Sequence, residues 1–283
     1  MINKIEKIIP LIQTPCCKAS VSSAAESVDC SKCSKQYPIK NGTIYFLDHA
    51  ADIVDPFDLI KGTVKKVSWL YYRVLIPLLA PTLQPNLKKI VQKEEGNLEN
   101  KVVVNLGSGN SNVDSNWINI DFIAYENVDL VCDLHELPFK NDSLDCVVTK
   151  SVLEHVREIA IVIEEMRRVT RSGGSGIHVI PFLIPFHSSP YDYSRYTFQG
   201  LLDLFKAHSN ASVDVISGPI SVLIWVFAEM LKSLIGFAPN LIQALLFNLV
   251  CLILSPLKIV DWLIVFVFDV RKVCGNYLVI LKK

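Results

Sequence analysis

The chain has 283 residues, which is enough for one large domain with an appendage or for two domains. Its 28 basic and 28 acidic side chains cancel, which argues against a nucleic-acid partner held by charge. Hydrophobic residues make up 51% of the chain, with the excess in its last quarter. Residues 1–13 lack the apolar core of a signal peptide, and the eight scattered cysteines predict a reducing, cytoplasmic compartment.

The first 50 residues predict a small β-rich module. Cys30 and Cys33 form a C-x-x-C pair, and short apolar runs follow up to residue 47. This pattern resembles the zinc-ribbon modules, whose two knuckles supply the cysteine ligands of one structural zinc ion. The resemblance therefore implies a zinc site in this module.

The first knuckle of the module departs from the zinc-ribbon pattern. Thr14 stands where the first cysteine is expected, and Cys16 and Cys17 follow as direct neighbours. Adjacent cysteines rarely both bind one tetrahedral ion. We therefore expect Cys17 or Cys16, together with Cys30 and Cys33, to bind zinc, with a fourth ligand unidentified. The alternative interpretation is a ribbon that has lost its metal.

Residues 51–100 are interpreted as a helical connector. Its one apolar stretch, residues 67–83, includes Trp69 and is interrupted by Pro77 and Pro81. This stretch predicts either a helix that covers the ligand side of the next domain or a packing helix between the two domains.

From residue 101 onward, predicted strands alternate with helices, which is typical of a parallel sheet with crossover helices. One helix is predicted at residues 160–169, ended by Gly173 and Gly174, and another at residues 197–205, capped by Thr197. The predicted strands are residues 102–106, 117–121, 128–132, 145–149, 175–180, 211–216 and 276–283.

A glycine-bearing turn follows the first of these strands. Gly107 and Gly109 allow a ligand to approach the backbone, and Asp121 ends the next strand, where a carboxylate suits ribose hydroxyls. The third glycine of a dinucleotide fingerprint is replaced by Asn112, and the short segment before Asp121 leaves little room for a pyrophosphate-binding helix. These features oppose an NAD-linked enzyme. With Asp133 suited to an adenine amino group, they predict an adenosyl cofactor without phosphates.

The ordered series GSG, INID, CDLHELPF and SVLEHV resembles the class I S-adenosylmethionine-dependent methyltransferases, specifically the type 11 group. The resemblance covers about residues 101–204. It implies an α/β fold with a Rossmann-like, seven-stranded methyltransferase sheet whose last strand runs antiparallel. The family usually has an acidic residue where this chain has Asn105, which can still accept a hydrogen bond from the methionine amino group. The implied cofactor-binding residues are Asn105, Gly107, Ser108, Gly109, Asp121, Asp133, Leu134, Ser151 and Glu154.

His155 follows the fourth predicted strand and is a candidate general base, because histidine titrates near neutral pH. A cofactor-pocket or structural role is the alternative. The loop at residues 181–197 is predicted to lie beside the same face and adds two candidate catalytic residues, His187 and Asp192. Its candidate substrate contacts are Tyr193, Arg195 and Tyr196.

Similar loops occur in a subset of related bacterial methyltransferases, which implies substrate positioning or closure of a lid. The alternative interpretation is that Asp192 and Arg195 form an ion pair that only stabilises the loop.

The apolar last quarter is interpreted as an insertion at residues 219–274, between the last two strands. Helices are predicted at residues 221–237, 241–254 and 257–270. Because the antiparallel last strand begins on the cofactor face, the insertion is expected over the substrate side of the sheet. Peripheral membrane contact at the inner face of the membrane, packing on the sheet and a dimer interface all stay open.

The favoured function is transfer of a methyl group from S-adenosylmethionine to a small or lipid-like acceptor, with O-methylation preferred. The alternative is a non-catalytic protein that binds S-adenosylmethionine or a partner, which Asn105 and the altered zinc knuckle would suit.

Overall fold

The computed structural model describes residues 4–23, 26–47, 76–82, 85–187 and 191–283. The N-terminal part begins with helix α1 (Lys4–Ile8) and a 3₁₀ turn at Ile9–Leu11. Four short strands follow, as the sequence predicted for a β-rich module. They are β1 (Val21–Ser23), β2 (Ser27–Cys30), β3 (Gln36–Lys40) and β4 (Thr43–Tyr45).

The third and fourth strands form a tight hairpin because Asn41 and Gly42 both adopt positive φ, at 52° and 80°. These two residue types are the ones that favour such a two-residue turn. The hairpin returns the chain so that β4 can pair with a strand of the following domain.

Most of the predicted apolar stretch in the connector, including Trp69, lies outside the described residues. Within the described part, α2 (Ile76–Leu79) is a single turn and α3 (Leu87–Glu95) is a capped helix. The side chain of Asn86 caps α3 by accepting a hydrogen bond from the backbone N–H of Lys89 at 3.0 Å.

The seven strands predicted from residue 101 onward are confirmed, in the spatial order β7-β6-β5-β8-β9-β11-β10. All pair in parallel except β11, which is antiparallel to both of its neighbours. Val104, Leu106 and Ile120 are fully buried, since helices and loops cover both faces of a parallel sheet. The strands are β5 (Val103–Leu106), β6 (Ile118–Asp121), β7 (Leu130–Val131), β8 (Leu144–Lys150), β9 (Thr170–Pro181), β10 (Ser209–Ser217) and β11 (Asn276–Lys282).

Among the described residues, the sheet has eleven strands, because β1–β4 extend it at one edge. Strand β4 pairs in parallel with β7 through Ile44 and Leu130 and through Tyr45 and Val131. The N-terminal module is therefore continuous with the sheet that carries the glycine turn.

Helix α4 (Ile159–Val169) and helix α5 (Phe198–Leu204) agree with the prediction, but the predicted glycine stop is wrong. Helix α4 ends at Val169, and β9 begins at the very next residue, so Gly173 and Gly174 lie inside a strand. A Cβ on Gly174 would come within 2.8 Å of the carbonyl oxygen of Asp145, so close packing against β8 explains this glycine.

The apolar insertion forms three helices, α6 (Pro219–Leu234), α7 (Asn240–Leu254) and α8 (Lys258–Val267). The fully buried carboxylate of Asp261 in α8 accepts hydrogen bonds from the backbone N–H groups of Ile220 and Ser221, both at 2.8 Å. It thereby caps α6 and complements the positive end of that helix dipole.

The insertion exposes many apolar side chains, among them Phe237 (91% exposed) in the turn between α6 and α7 and Phe266 (83% exposed) in α8. The helical run Asn240–Val267 has 28 residues and contains an 18-residue window with a mean hydropathy of 2.2, so it is long and apolar enough to cross a membrane by length and composition alone.

Candidate functional site

The turn after β5 requires glycine at its first position. Gly107 and Gly109 adopt positive φ, at 61° and 54°, a region that L side chains rarely occupy. A Cβ on Gly107 would lie 2.5 Å from Cγ2 of Val152, whereas a Cβ on Gly109 would meet nothing within 4 Å. The turn is therefore packed against the segment after β8 on one side and open on the other.

The side chain of Asp121 links the end of β6 to this turn by a hydrogen bond. One carboxylate oxygen accepts a hydrogen bond from the Gly109 N–H at 2.7 Å, and the other accepts from the Ile123 N–H at 3.0 Å. As predicted, no helix lies between Gly109 and Asp121, both of which the structure describes with the residues between them. The site thus lacks the helix N-terminus that a pyrophosphate would need.

Asp133 lies one strand further along the same edge. Its Oδ1 accepts a hydrogen bond from the backbone N–H of His135 at 2.9 Å and contacts the His135 Nδ1 at 2.6 Å. Its side chain is about half exposed, so the carboxylate faces open space beside Leu134.

These groups surround a cavity of about 500 Å³, here named the large cavity. Eight of the predicted site residues line it, and they come from the ends of four strands, β5 to β8, and from the loop at residues 191–197. These eight are Gly107, Gly109, Asp121, Asp133, Leu134, Ser151, His155 and Tyr193. Eight further lining residues were not singled out in the sequence: Leu47, Phe122, Ile123, Tyr125, His135, Val152, Val156 and Arg157.

The remaining predicted cofactor residues are buried near the large cavity but do not line it. The side chain of Asn105 donates a hydrogen bond to Oδ1 of Asn119 at 3.1 Å, within the sheet. Ser108 is buried, and its N–H donates to the carbonyl of Ile120 at 3.0 Å. Glu154 is completely buried in the 3₁₀ turn Leu153–His155.

The loop after β9 lies against this 3₁₀ turn. The backbone N–H groups of Tyr193 and Ser194 donate to the carbonyl of Glu154, at 2.8 and 3.3 Å. Nδ1 of His155 contacts the carbonyl oxygen of Tyr191 from the same loop. The structure therefore brings the two predicted groups of polar residues together.

Asp192 and Arg195 form a bidentate ion pair inside this loop. The carboxylate of Asp192 contacts both terminal nitrogens of Arg195, the Nη2 contact measuring 2.6 Å, and it also accepts a hydrogen bond from the N–H of His187 at 3.0 Å. Burial would raise the pKa of Asp192, but Arg195 and the His187 N–H outweigh it and hold that pKa below its ordinary value. Of the other predicted contacts, Tyr196 packs partly buried against the hydrophobic core.

His187 lies beside Glu154, with its Nε2 3.5 Å from Oε1 of the carboxylate. Burial would lower the pKa of His187, but the Glu154 carboxylate, the Pro185 carbonyl and Asp192 together raise it above its ordinary value. The ring of His187 also lies 5.8 Å, centre to centre, from the ring of Trp225 in α6.

His187 and Trp225 line a second cavity of about 90 Å³, here named the small cavity. It shares Ser151 with the large cavity and also contacts Asn276 at the start of β11. Helix α6 therefore reaches the loop side of the sheet, as expected for the insertion.

The four N-terminal cysteines form a separate cluster. The sulfur atoms of Cys16, Cys17, Cys30 and Cys33 all lie within 4.8 Å of one another. Thr14 donates a hydrogen bond to the Cys30 sulfur at 3.2 Å, and this contact is the main cause that lowers the pKa of Cys30 to about 6. The sulfur atoms of both adjacent cysteines thus belong to one cluster. The sequence pattern alone favoured only one of these two cysteines at such a site.

The strand order and the antiparallel β11 are those of the class I S-adenosylmethionine-dependent methyltransferases. Residues 107–177 match the model of the type 11 family, which is described as a methyltransferase domain, and this match supports a methyltransferase fold.

Two solved structures illustrate the similarity in fold. Phosphoethanolamine N-methyltransferase 2 of Haemonchus contortus, in complex with S-adenosyl-L-methionine, aligns with a TM-score of 0.50 and 12% identity over 88% of this chain and 62% of that chain. The 1,6-didemethyltoxoflavin-N1-methyltransferase of Burkholderia thailandensis aligns with a TM-score of 0.43 and 14% identity over 92% and 99% of the two chains. At 12% identity, the likeness to the Haemonchus contortus structure concerns the fold alone.

One sequence relative is an uncharacterized 37.1 kDa protein in transposon TN4556 of Streptomyces fradiae. The two sequences are 48% identical over 42 residues, which is 15% of this chain and 12% of that protein.

Proposed function

We propose that the protein transfers a methyl group from S-adenosylmethionine to a small or lipid-like acceptor by in-line displacement. The large cavity is the observation that carries this proposal, because it combines a glycine turn, two strand-end carboxylates and no helix for phosphates. In this reaction the sulfonium is already activated, so the protein has only to align the acceptor with the methyl group, exclude water and remove a proton where needed.

The residues of the large cavity suit the separate parts of the cofactor. Gly107 and Gly109 leave room for the methionine portion against the backbone. Asp121 would bind the ribose hydroxyls, and Asp133 with Leu134 would bind the adenine edge. Asn105, being held by Asn119, would act by supporting the turn rather than by touching the methionine amino group.

The acceptor is proposed to enter from the loop side, where His155 borders the large cavity and His187 borders the small one. A hydroxyl acceptor must lose a proton when it is methylated, and a histidine near the cavity can take it. This requirement favours O-methylation. Asp192 is committed to Arg195 and would position His187 rather than act as a base.

Calorimetry with S-adenosylmethionine and S-adenosylhomocysteine tests the cofactor proposal. Transfer of a labelled methyl group to hydroxyl-bearing lipids and to matched amines then tests the acceptor. We expect micromolar binding and label in the hydroxyl compounds. No heat on mixing would refute cofactor binding, and tight binding without transfer to any acceptor would favour the non-catalytic alternative.

We also propose that helices α6–α8 lie at a membrane surface. Their exposed apolar side chains suit an interfacial position, since both ends of the insertion return to the same sheet. Sedimentation with vesicles of phosphatidylcholine and phosphatidylglycerol tests this. Recovery of all the protein in the supernatant would contradict it.

A structural zinc ion is proposed for the cysteine cluster. Four sulfurs within 4.8 Å suit one tetrahedral ion, so we assign both Cys16 and Cys17 to the site with Cys30 and Cys33, where the sequence predicted only one of the two adjacent cysteines. Metal analysis should find one equivalent of zinc per chain bound by the cluster, and this equivalent should be lost in Cys16→Ser and in Cys17→Ser. The control Cys274→Ser, a buried thiol outside the cluster, should retain it. Zinc retained by either cluster variant would remove that cysteine from the site.

A further inference from the structure

Glu154 presents an unusual electrostatic problem. Its side chain is fully buried, and neither carboxylate oxygen makes a hydrogen bond with the described residues. A buried charge without partners is costly, and such groups are normally paired or bound to a metal. The carboxylate therefore points to a missing positive partner.

Two imidazole nitrogens lie close to this carboxylate. Nε2 of His187 lies 3.5 Å from Oε1 of Glu154, and Nε2 of His155 lies 3.7 Å from the same oxygen. Charge-assisted hydrogen bonds are shorter, at about 2.7–2.9 Å. In contrast, two ligands that each lie about 2.1 Å from a tetrahedral ion are about 3.4 Å apart. The observed spacing fits a shared ion better than a direct bond.

The other nitrogen of each ring is already used by a backbone carbonyl. Nδ1 of His155 contacts the carbonyl of Tyr191, and Nδ1 of His187 lies 3.1 Å from the carbonyl of Pro185. Each contact requires a proton on Nδ1, so the neutral form of each ring has its lone pair on Nε2. Metal-binding histidines commonly have this arrangement, in which an outer hydrogen bond fixes the tautomer.

Arg195 does not disturb this assignment. Its Nη2 comes within 3.3 Å of His187 Nδ1, but it already donates to Asp192 at the shorter distance of 2.6 Å. The same Asp192 accepts the N–H of His187 and so holds the backbone of this histidine in place. The ion pair of Asp192 and Arg195 thus helps to hold His187 in position.

We propose that Glu154, His155 and His187 bind one divalent transition-metal ion, such as Mn²⁺, Fe²⁺, Co²⁺ or Zn²⁺. Their three ligand atoms lie within 4.8 Å of one another. Two imidazoles and one carboxylate leave other coordination positions of the ion open. Mg²⁺ and Ca²⁺ are disfavoured because they prefer oxygen ligands to imidazole. The site lies where the large and small cavities approach each other.

The open positions would take an oxygen atom of the acceptor, an inference that rests on the proposed methyl transfer and in which the ion, rather than a free histidine, promotes loss of the acceptor proton. A metal-bound hydroxyl group loses its proton to water more readily. Its oxygen would then attack the methyl carbon while the carbon–sulfur bond breaks, with the electron pair passing to sulfur. The products are a methyl ether and S-adenosylhomocysteine, with the proton released to solvent.

Cobalt binding tests the site without any cofactor or acceptor. Titration of the full chain with Co²⁺ should give visible d–d absorption from a nitrogen and oxygen site, separate from the sulfur-to-cobalt charge-transfer band of the cysteine cluster. In Glu154→Gln and in His187→Ala, the first signal should require at least about tenfold more Co²⁺. The thiolate band should persist and report that the variants are folded.

His135→Ala is the matched control, because His135 also borders the large cavity but lies outside the cluster. It should leave both signals unchanged. In the wild-type protein, Co²⁺ should also shift the ring proton resonances of His155 and His187 but not those of His208. Cobalt bound only through thiolates, or an unchanged nitrogen and oxygen signal in Glu154→Gln, would overturn the proposal and leave a histidinium–carboxylate pair as the account of Glu154.

Discussion

The large cavity and the small cavity share Ser151, yet the chain builds them in different ways. Apart from Leu47 and Tyr193, every residue that lines the large cavity falls within residues 107–157. The small cavity instead gathers Thr82, His187, Trp225 and Asn276 from distant parts of the chain. The first depends on local turns at strand ends, whereas the second depends on tertiary contacts of the insertion. Substitutions in the large cavity and substitutions in the insertion should therefore have different consequences.

The largest effect is expected at the glycine turn. Gly107→Ala should weaken S-adenosylhomocysteine binding at least about 100-fold, because strain at positive φ costs about 1–3 kcal/mol and the new Cβ would collide with Val152. Gly109→Ala has a similar φ but no protein atom within 4 Å of its Cβ, so it should weaken binding less than Gly107→Ala does, through the one methyl group that it adds to the space proposed for the methionine portion. Calorimetry of both variants measures the difference.

A second variant separates the collision from backbone strain. Adding Val152→Ala to Gly107→Ala removes the two methyl groups nearest to the new Cβ, at 2.5 and 2.8 Å, and should restore part of the affinity. Equal affinities of Gly107→Ala and Gly109→Ala would show that packing against Val152 is irrelevant to the large cavity.

Asp133→Ala should have an intermediate effect. It should weaken S-adenosylhomocysteine binding by about 1–3 kcal/mol, the cost of leaving a buried donor of the ligand unpaired. Because Asp133 also holds His135, His135→Ala shows how much of the loss passes through that side chain. Glu136→Ala, an exposed carboxylate paired with Lys18, is the control. Unchanged affinity in Asp133→Ala would remove this residue from its assigned role.

The two cavities also differ in how far they could be predicted from the sequence, and the physical reason is the same. Glycines at positive φ and carboxylates at strand ends are local requirements, so Gly107, Asp121 and Asp133 could be placed from sequence order alone. Asn105 could not, because its partner Asn119 lies on a neighbouring strand and draws its side chain into the sheet. Phe122 and Ile123 follow Asp121 directly, and that position was a usable signal for them.

Long-range pairing explains most of what the sequence did not reveal. Leu47 reaches the large cavity only because β4 pairs with β7, and Trp225 reaches His187 only through the packing of α6. The convergence of both Cys16 and Cys17 on one space depends on the turn of the first knuckle, which spacing alone does not specify. Gly173 and Gly174 were misread because β9 begins directly after α4.

The smallest effect is expected on the outer face of the insertion, where the side chains are largely exposed. Phe237→Ser and Phe266→Ser should each weaken binding to vesicles by about 1 kcal/mol, or roughly fivefold, since each removes apolar area that enters the lipid interface. Because these side chains are 91% and 83% exposed, the free energy of unfolding should not change. Ile161→Ser, on the exposed face of α4, is the matched control and should sediment like the wild type. If all three variants sediment equally, the exposed face of α6–α8 does not contact lipid. The large cavity and the insertion would then differ only in how each is folded.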